Sequence, residues 1–184
     1  MGSPADPSPV LLIVAAFSRH DSALAWAREK TAAAWGPIAL ASPAFEFTET
    51  NYYQSTMGGN LKKQFLAFQH PIDPSRLAEL KLQSNEWESE YAALQQHSEP
   101  RPLNLDPGYI TLAKLLLAST KDHAHRIYLS RGIYAEITLY FRDGCWQPGP
   151  WTYPDYRRPD FQQFFDLCRD YLKQSTNRPQ PPAS

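Results

Sequence analysis

The feature that most constrains this chain is one uninterrupted apolar run, VLLIVAAF, at positions 10–17. Eight apolar residues without alternation do not suit a strand with one wet face, because half of them would point into water. The run is also too short for a membrane span, which needs about 20 residues. It is read as a central strand covered on both faces, so helices or a second layer must lie on either side of it. No positively charged segment precedes it, so it is not read as a secretory signal.

The remaining elements follow from periodicity and breakers. Asp21 or Ser22 is expected to cap a helix that Gly36-Pro37 ends, with Leu24, Ala27, Thr31 and Ala34 as its buried stripe. Residues 38–47 read as a strand, with Pro43 placing it at an edge or a bulge. A polar loop over 48–60 leads to a strand over 61–70. Asp73-Pro74 then starts a helix with Leu77, Leu80, Trp87, Tyr91 and Leu94 on one face.

After a proline-punctuated connection over 97–103, residues 104–106 read as a short strand. Asp106-Pro107-Gly108 repeats the cap-then-proline pattern and predicts a buried helix over 109–120. Strands over 126–129 and 133–141 flank the turn Ser130-Arg131-Gly132. Alternation along the second puts Ile133, Ala135, Ile137, Leu139 and Phe141 on one face, and Tyr134, Glu136, Thr138 and Tyr140 on the other. Residues 147–159 form an aromatic, proline-rich loop. A last helix over 160–174 is apolar at Phe161, Phe164, Phe165, Cys168, Tyr171 and Leu172. This order predicts an α+β fold. Its front half is a ferredoxin-like split βαβ unit, followed by an added helix, an antiparallel meander and a C-terminal helix on one mixed or antiparallel sheet.

Of the 17 prolines, three stand among the first nine residues and three among the last six. The expected organisation is a disordered tail over 1–9, a single α+β domain over 10–176 and a disordered proline-rich tail over 177–184. With 18 Lys plus Arg against 19 Asp plus Glu, the net charge is −1. The basic excess of a general nucleic-acid binder is absent. Two cysteines, Cys145 and Cys168, form neither a disulfide framework nor a metal spacing. A reducing cytoplasm is the expected location, without membrane association.

GxGxxG, P-loop, nucleophile-elbow, HExxH and CxxC signatures are all missing, so no cofactor is named by the sequence. Polar groups concentrate in two places. The first is Lys121-Asp122-His123-Ala124-His125-Arg126, where Arg126 can offer a bidentate fork to an anion and Lys114 or Lys121 a point charge. Helix-end complementation is the plain structural alternative. His123 and His125 with Asp122 or Glu136 are the metal alternative, but spacing assigns no third ligand. The second place is WTYPDYRR at 151–158, whose aromatics, Asp155 and two arginines can clamp a planar anion or simply pack as a lid. Glu136, flanked by Tyr134 and Thr138, is a candidate base or an ion-pair partner of Arg126. Lys62-Lys63 reads as edge protection.

Several of these stretches carry a resemblance: Asn104-Leu105-Asp106-Pro107-Gly108-Tyr109, Thr120-Lys121-Asp122, His125-Arg126-Ile127-Tyr128-Leu129, Gly132-Ile133-Tyr134-Ala135-Glu136 and Trp151-Thr152-Tyr153-Pro154-Asp155-Tyr156-Arg157. Together with Trp35-Gly36-Pro37-Ile38, Phe45-Glu46-Phe47-Thr48, Tyr52-Tyr53, and Leu80-Lys81-Leu82 with Asn85-Glu86, they resemble the bacterial family catalogued as domain of unknown function 4416 over about residues 10–169. The resemblance implies no particular activity, substrate or fold. A GTP-binding label borne by some members is not carried over, since the P-loop is missing. His123 falls outside the family pattern, which favours His125 alone.

The polar members of those motifs are too rich in charge to be all core, and one shared pocket accounts for them. The reading is a pocket for a small anionic, nucleotide-like ligand. Lys114, Lys121, Asp122, Arg126, Tyr128, Tyr134, Tyr153, Asp155, Tyr156 and Arg157 are its binding residues, with His125 and Glu136 placed for acid–base work. No metal is assigned. The alternatives are a protein-binding adaptor with an apolar patch around Trp146 and Trp151, and a divalent-metal hydrolase in which Asp106, Asp122 or Asp155 converge with His125.

Overall fold

A computed structural model describes residues 2–49 and 52–176. The apolar run becomes β1 (Leu11–Ser18), and every residue of it is buried. Its side chains divide by alternation. Leu11, Ile13 and Ala15 enter one core; Leu12, Val14 and Ala16 enter another on the opposite face. The double-sided burial predicted for this run is therefore observed.

The chain is mixed α+β, with four helices among the described residues and one large antiparallel sheet. β2 (Ile38–Ala41) and β3 (Phe45–Phe47) are one predicted strand broken around Pro43, and both pair with β4 (Leu61–Phe68). β4 lies beside β1, which lies beside β5 (Asn104–Ile110). Beyond β5 come β6 (Lys114–Ser119), β8 (Ile133–Arg142) and, at the edge, β7 (Ile127–Ser130). β9 (Cys145–Pro148) pairs with the far end of β8.

Helices α1 (Asp21–Trp35) and α3 (Leu77–Ala93) cover one face of the sheet, and α4 (Pro159–Thr176) covers the other. A short helix, α2 (Gln54–Met57), stands in the polar loop before β4. Residues 2–9 are exposed and carry no regular structure, and residues 177–184 lie outside the described residues.

Four expectations are corrected. His20, not Asp21 or Ser22, is the N-cap of α1, and Ala34 is exposed because the stripe shifts to Ala23, Leu24, Ala27 and Thr31. Leu94 is exposed just beyond α3. The helix predicted over 109–120 is instead the β5–β6 hairpin, closed by the Thr111 hydroxyl, which accepts from the Ala113 and Lys114 amides at 3.1 and 3.0 Å. A segment apolar on all sides satisfies a strand buried on both faces as well as a buried helix, and the sheet decided between them. Gly108 belongs to that decision, since a Cβ there would stand 2.1 Å from the Leu116 carbonyl oxygen.

The fourth correction concerns alternation in β8. Leu115 pairs with Leu139 but Leu116 with Ile137, so Thr138 is an extra residue, a β-bulge. The bulge inverts the faces beyond it. Ile133 and Ala135 pack toward α3, Leu139 packs toward α4, Ile137 is exposed, and Glu136 and Thr138 are buried.

A polar clamp joins the start of α1 to the connection before β5. Glu99 bonds the His20 ring at 3.1 Å and Arg19 at 3.0 Å, and His20 stacks on His97. These bonds, that of His20 foremost, hold the Glu99 carboxyl down to about 2, against an ordinary value of 4.5. A depressed carboxyl contributes stability above its unfolded value and loses it as pH falls toward the folded one. The urea midpoint of Glu99→Gln should therefore be less sensitive to pH than that of the wild type between about pH 4.5 and 2. Superimposable profiles would show that the clamp contributes nothing.

Candidate functional site

The ladder between β5 and β6 has only three pairs, joining Gly108, Tyr109 and Ile110 to Leu117, Leu116 and Leu115. Residues 104–107 of β5 continue along β1 without β6 beside them. Pro107, which offers no N–H, lies in this unpaired stretch. Backbone groups left open by the missing strand need other partners, and α3 supplies them. Glu88 Oε1 accepts from the Leu105 amide at 2.8 Å, and Lys81 Nζ donates to the Leu105 carbonyl at 2.8 Å. Polar residues on the buried face of α3 thus hold the sheet open.

Between the parted strands lies a cavity of about 600 Å³, within the usual size for small-ligand sites. Its inner wall is built by β5 and α3. Asp106 Oδ1 accepts from Lys81 at 2.9 Å, and Glu88 Oε2 accepts from Arg101 Nε at 3.1 Å and Nη2 at 2.7 Å. Arg101 also donates to Asn104 Oδ1. Burial alone would raise the Asp106 carboxyl, but Lys81, then Lys63 and Arg101, outweigh it and hold it below its ordinary value. Burial raises Glu88 despite Lys81 and Arg101. Arg101 moves up, because its bonds to Glu88 outweigh the burial that would lower it.

A second pair lies on the α4 side of the sheet. Lys63 and Asp155 are both buried and hydrogen-bonded to each other, and the Lys63 ammonium sits 4.0 Å from the Phe47 ring centre, 4.8 Å from Phe17 and 5.1 Å from Tyr156. Lys63 is therefore a caged interior cation and not edge protection. β4 is interior to the sheet, and opposite Phe17 the strand carries this residue inward.

Arg126 organises the outer wall. Its Nε donates to Glu136 Oε2 at 2.7 Å, and Nη1 donates to the Ser119 hydroxyl at 2.7 Å and the Lys121 carbonyl at 2.9 Å. Nη2 donates to the Tyr153 hydroxyl at 2.7 Å. Lys121 reaches across the mouth to the Tyr52 hydroxyl at 2.7 Å. Tyr53 lines the cavity as well, and burial pushes its hydroxyl well up. Burial also raises Tyr153, with the Glu136 charge acting in the same direction. Both phenols therefore stay protonated.

Of the residues expected from sequence, Lys121, Arg126, Glu136, Tyr153, Asp155 and Tyr156 line this one cavity, and so do Asp106 and His123 of the metal alternatives, against the expectation that favoured His125 alone. His125 is not among the lining residues. Its Nε2 lies 3.0 Å from Glu136 Oε2, and its ring stacks on Trp151. Lys114 is at the opposite end of β6, beside Tyr140. Asp122 is exposed outside the cavity, and Tyr128 and Tyr134 pack on each other near the β7 edge. Arg157 donates to the Thr152 and Gly149 carbonyls and ties its own loop together. These six lie close to pocket residues in sequence, but the fold places each of them outside the cavity lining.

Sequence reading left Lys63, Lys81, Glu88, Arg101, Asn104 and Tyr53 out of the expected binding residues. The available signal was on α3, where Lys81, Ser84 and Glu88 fall at three- and four-residue steps beside the apolar stripe Leu77, Leu80, Trp87 and Tyr91. Trp146 is buried and only Trp151 is exposed, so no shared apolar patch forms around the two. Among the described residues, no group of three or more His, Cys, Asp or Glu is placed to hold a metal ion, and no helix is long and apolar enough to cross a membrane. A family model described as Domain of unknown function (DUF4416) matches residues 8–171. No curated protein and no solved structure matches.

Proposed function

The chain belongs to the DUF4416 family, and from that premise we propose that it binds a small anionic ligand at the outer wall of the cavity. The supporting observation is the hydrogen-bond capacity left at Arg126. A guanidinium has five N–H groups. Four are used, on Glu136, Ser119, Lys121 and Tyr153, which leaves one Nη2 proton with no described partner. The Tyr153 oxygen accepts from Arg126, and its own proton goes to no described residue.

Lys121 adds an ammonium. Lys63, Lys81, Arg101 and Arg126 are each ion-paired with a carboxylate, whereas Lys121 forms no described ion pair. Guanidinium, phenol and ammonium are all donors, and a set of donors suits an anion. Glu136 Oε2 already receives Arg126 and approaches His125, so this reading gives His125 and Glu136 the task of holding the guanidinium in place.

The strand order β2-β4-β1-β5, with α1 and α3 on one face, supports a ferredoxin-like reading of the front half. An exposed thiol at Cys145 suits a reducing compartment.

The test is a thermal-shift panel of phosphate, pyrophosphate, nucleotides and sugar phosphates on the wild type and Lys121→Ala. A ligand at about 100 times its Kd adds about 2.7 kcal/mol, or about 5–11 °C at this chain length. Lys121→Ala removes an exposed side chain and should keep the unliganded melting temperature while reducing the shift. A folded wild type that no anion stabilises would overturn the proposal.

A further inference from the structure

The inner wall of the same cavity differs in chemistry from the outer one. Asp106 gives Oδ1 to Lys81, yet 29% of its side-chain surface remains open, and it lines the cavity. Asn104 stands two residues away on the same face of β5, about 7 Å along the strand. It is 2% exposed, and its Oδ1 is held by Arg101. Its Nδ2 is buried with no hydrogen-bond partner among the described residues, a costly condition for an amide. The protonated Tyr53 hydroxyl lines the same region.

This wall offers a carboxylate acceptor, an amide donor and a phenol donor together. A second anion would meet the ionised Asp106. A cation would meet Lys63, Lys81 and Arg101, whose charges all act on Asp106. A neutral group that donates and accepts at once fits both, and the hydroxyl is the simplest such group. Among the described residues of this inner wall, the aromatic rings are already engaged. Phe47 and Tyr156 enclose the Lys63 ammonium, and Tyr53 packs against Phe17 and Phe47.

Resting on the anion reading above, we infer that the ligand is a phosphorylated polyol or sugar. Its phosphate lies at Arg126, Lys121 and Tyr153, and its hydroxyls lie at Asp106 and Asn104. Titration calorimetry with inorganic phosphate, glycerol phosphate, glucose phosphate and a nucleoside monophosphate tests this.

The wild type should bind a hydroxylated phosphate ester at least about tenfold more tightly than inorganic phosphate, the gain expected of one or two well-made hydrogen bonds. Asn104→Asp keeps the acceptor for Arg101 and removes the orphan donor. Asp106→Asn keeps the shape and removes the charge. In both variants that ratio should fall toward one, provided that each melts cooperatively as a folded protein. A ratio that survives both substitutions, a preference for the nucleoside monophosphate, or phosphate binding without gain from hydroxyls would overturn this inference and leave the anion site standing. A folded wild type that binds none of the four would overturn both.

Discussion

Arg126→Leu should lower the unfolding free energy by about 3–5 kcal/mol, the usual cost of leaving one partner of a buried ion pair behind. The two side chains are 2% and 4% exposed, for Arg126 and Glu136 respectively. Removing the guanidinium strips Glu136 of its bond at 2.7 Å and releases Ser119, the Lys121 carbonyl and Tyr153 together. At this chain length the melting temperature should fall by about 6–20 °C. Adding Glu136→Gln should recover part of the loss, because it removes the buried charge that the single variant strands. Denaturant melts of the wild type, the two single variants and the double variant measure the coupling. Strictly additive losses would mean that Arg126 and Glu136 do not act as a pair.

Gly108→Ala should be as damaging, through a different cause. Gly108 pairs with Ile13 on one side and Leu117 on the other, at the last rung before β5 and β6 part. An added Cβ would lie 2.1 Å from the Leu116 carbonyl oxygen and 2.8 Å from Leu117 Cδ2. The first of these atoms is backbone of β6, a strand paired with β5 on one side and β8 on the other, so it cannot swing aside as a side chain would. Overpacking commonly costs 1–3 kcal/mol. A clash with interior backbone should exceed about 3 kcal/mol or prevent folding. A urea midpoint equal to that of the wild type would show that the two strands do not approach as described. The same substitution should distort the cavity wall that begins at this rung, so any folded fraction should also bind anions more weakly.

Much of the architecture was legible. The run at 10–17, the break at Gly36-Pro37, the Asp73 cap, whose carboxylate accepts from Ser75 at 2.8 Å, and the turn at Asp143-Gly144 are all local instructions. They were read correctly because each works within a few residues. The Asp106-Pro107-Gly108 stretch misled for the same reason. It carries a local helix-start signal, but β1 pairs along its whole length and places it in a strand. The Thr138 bulge escaped notice because alternation over 133–141 looks regular until the β6 register is known.

The candidate site divides along the same line. Lys121, Arg126, Glu136, Tyr153, Asp155 and Tyr156 were found because charged and aromatic residues crowd two short stretches of sequence. Lys63 and Lys81 were not, because the carboxylates they pair with, Asp155 and Asp106, lie 92 and 25 residues away in sequence. The sequence by itself determined that residues 10–17 are a strand buried on both faces, where most breaks fall and which residue types crowd together, since propensity, capping and hydrophobic period are short-range. Only the tertiary structure decided that β5 and β6 part after three pairs, that α3 side chains take the place of the missing strand, and that a cavity opens there. Those outcomes depend on long-range pairing and on satisfying backbone groups far apart in sequence.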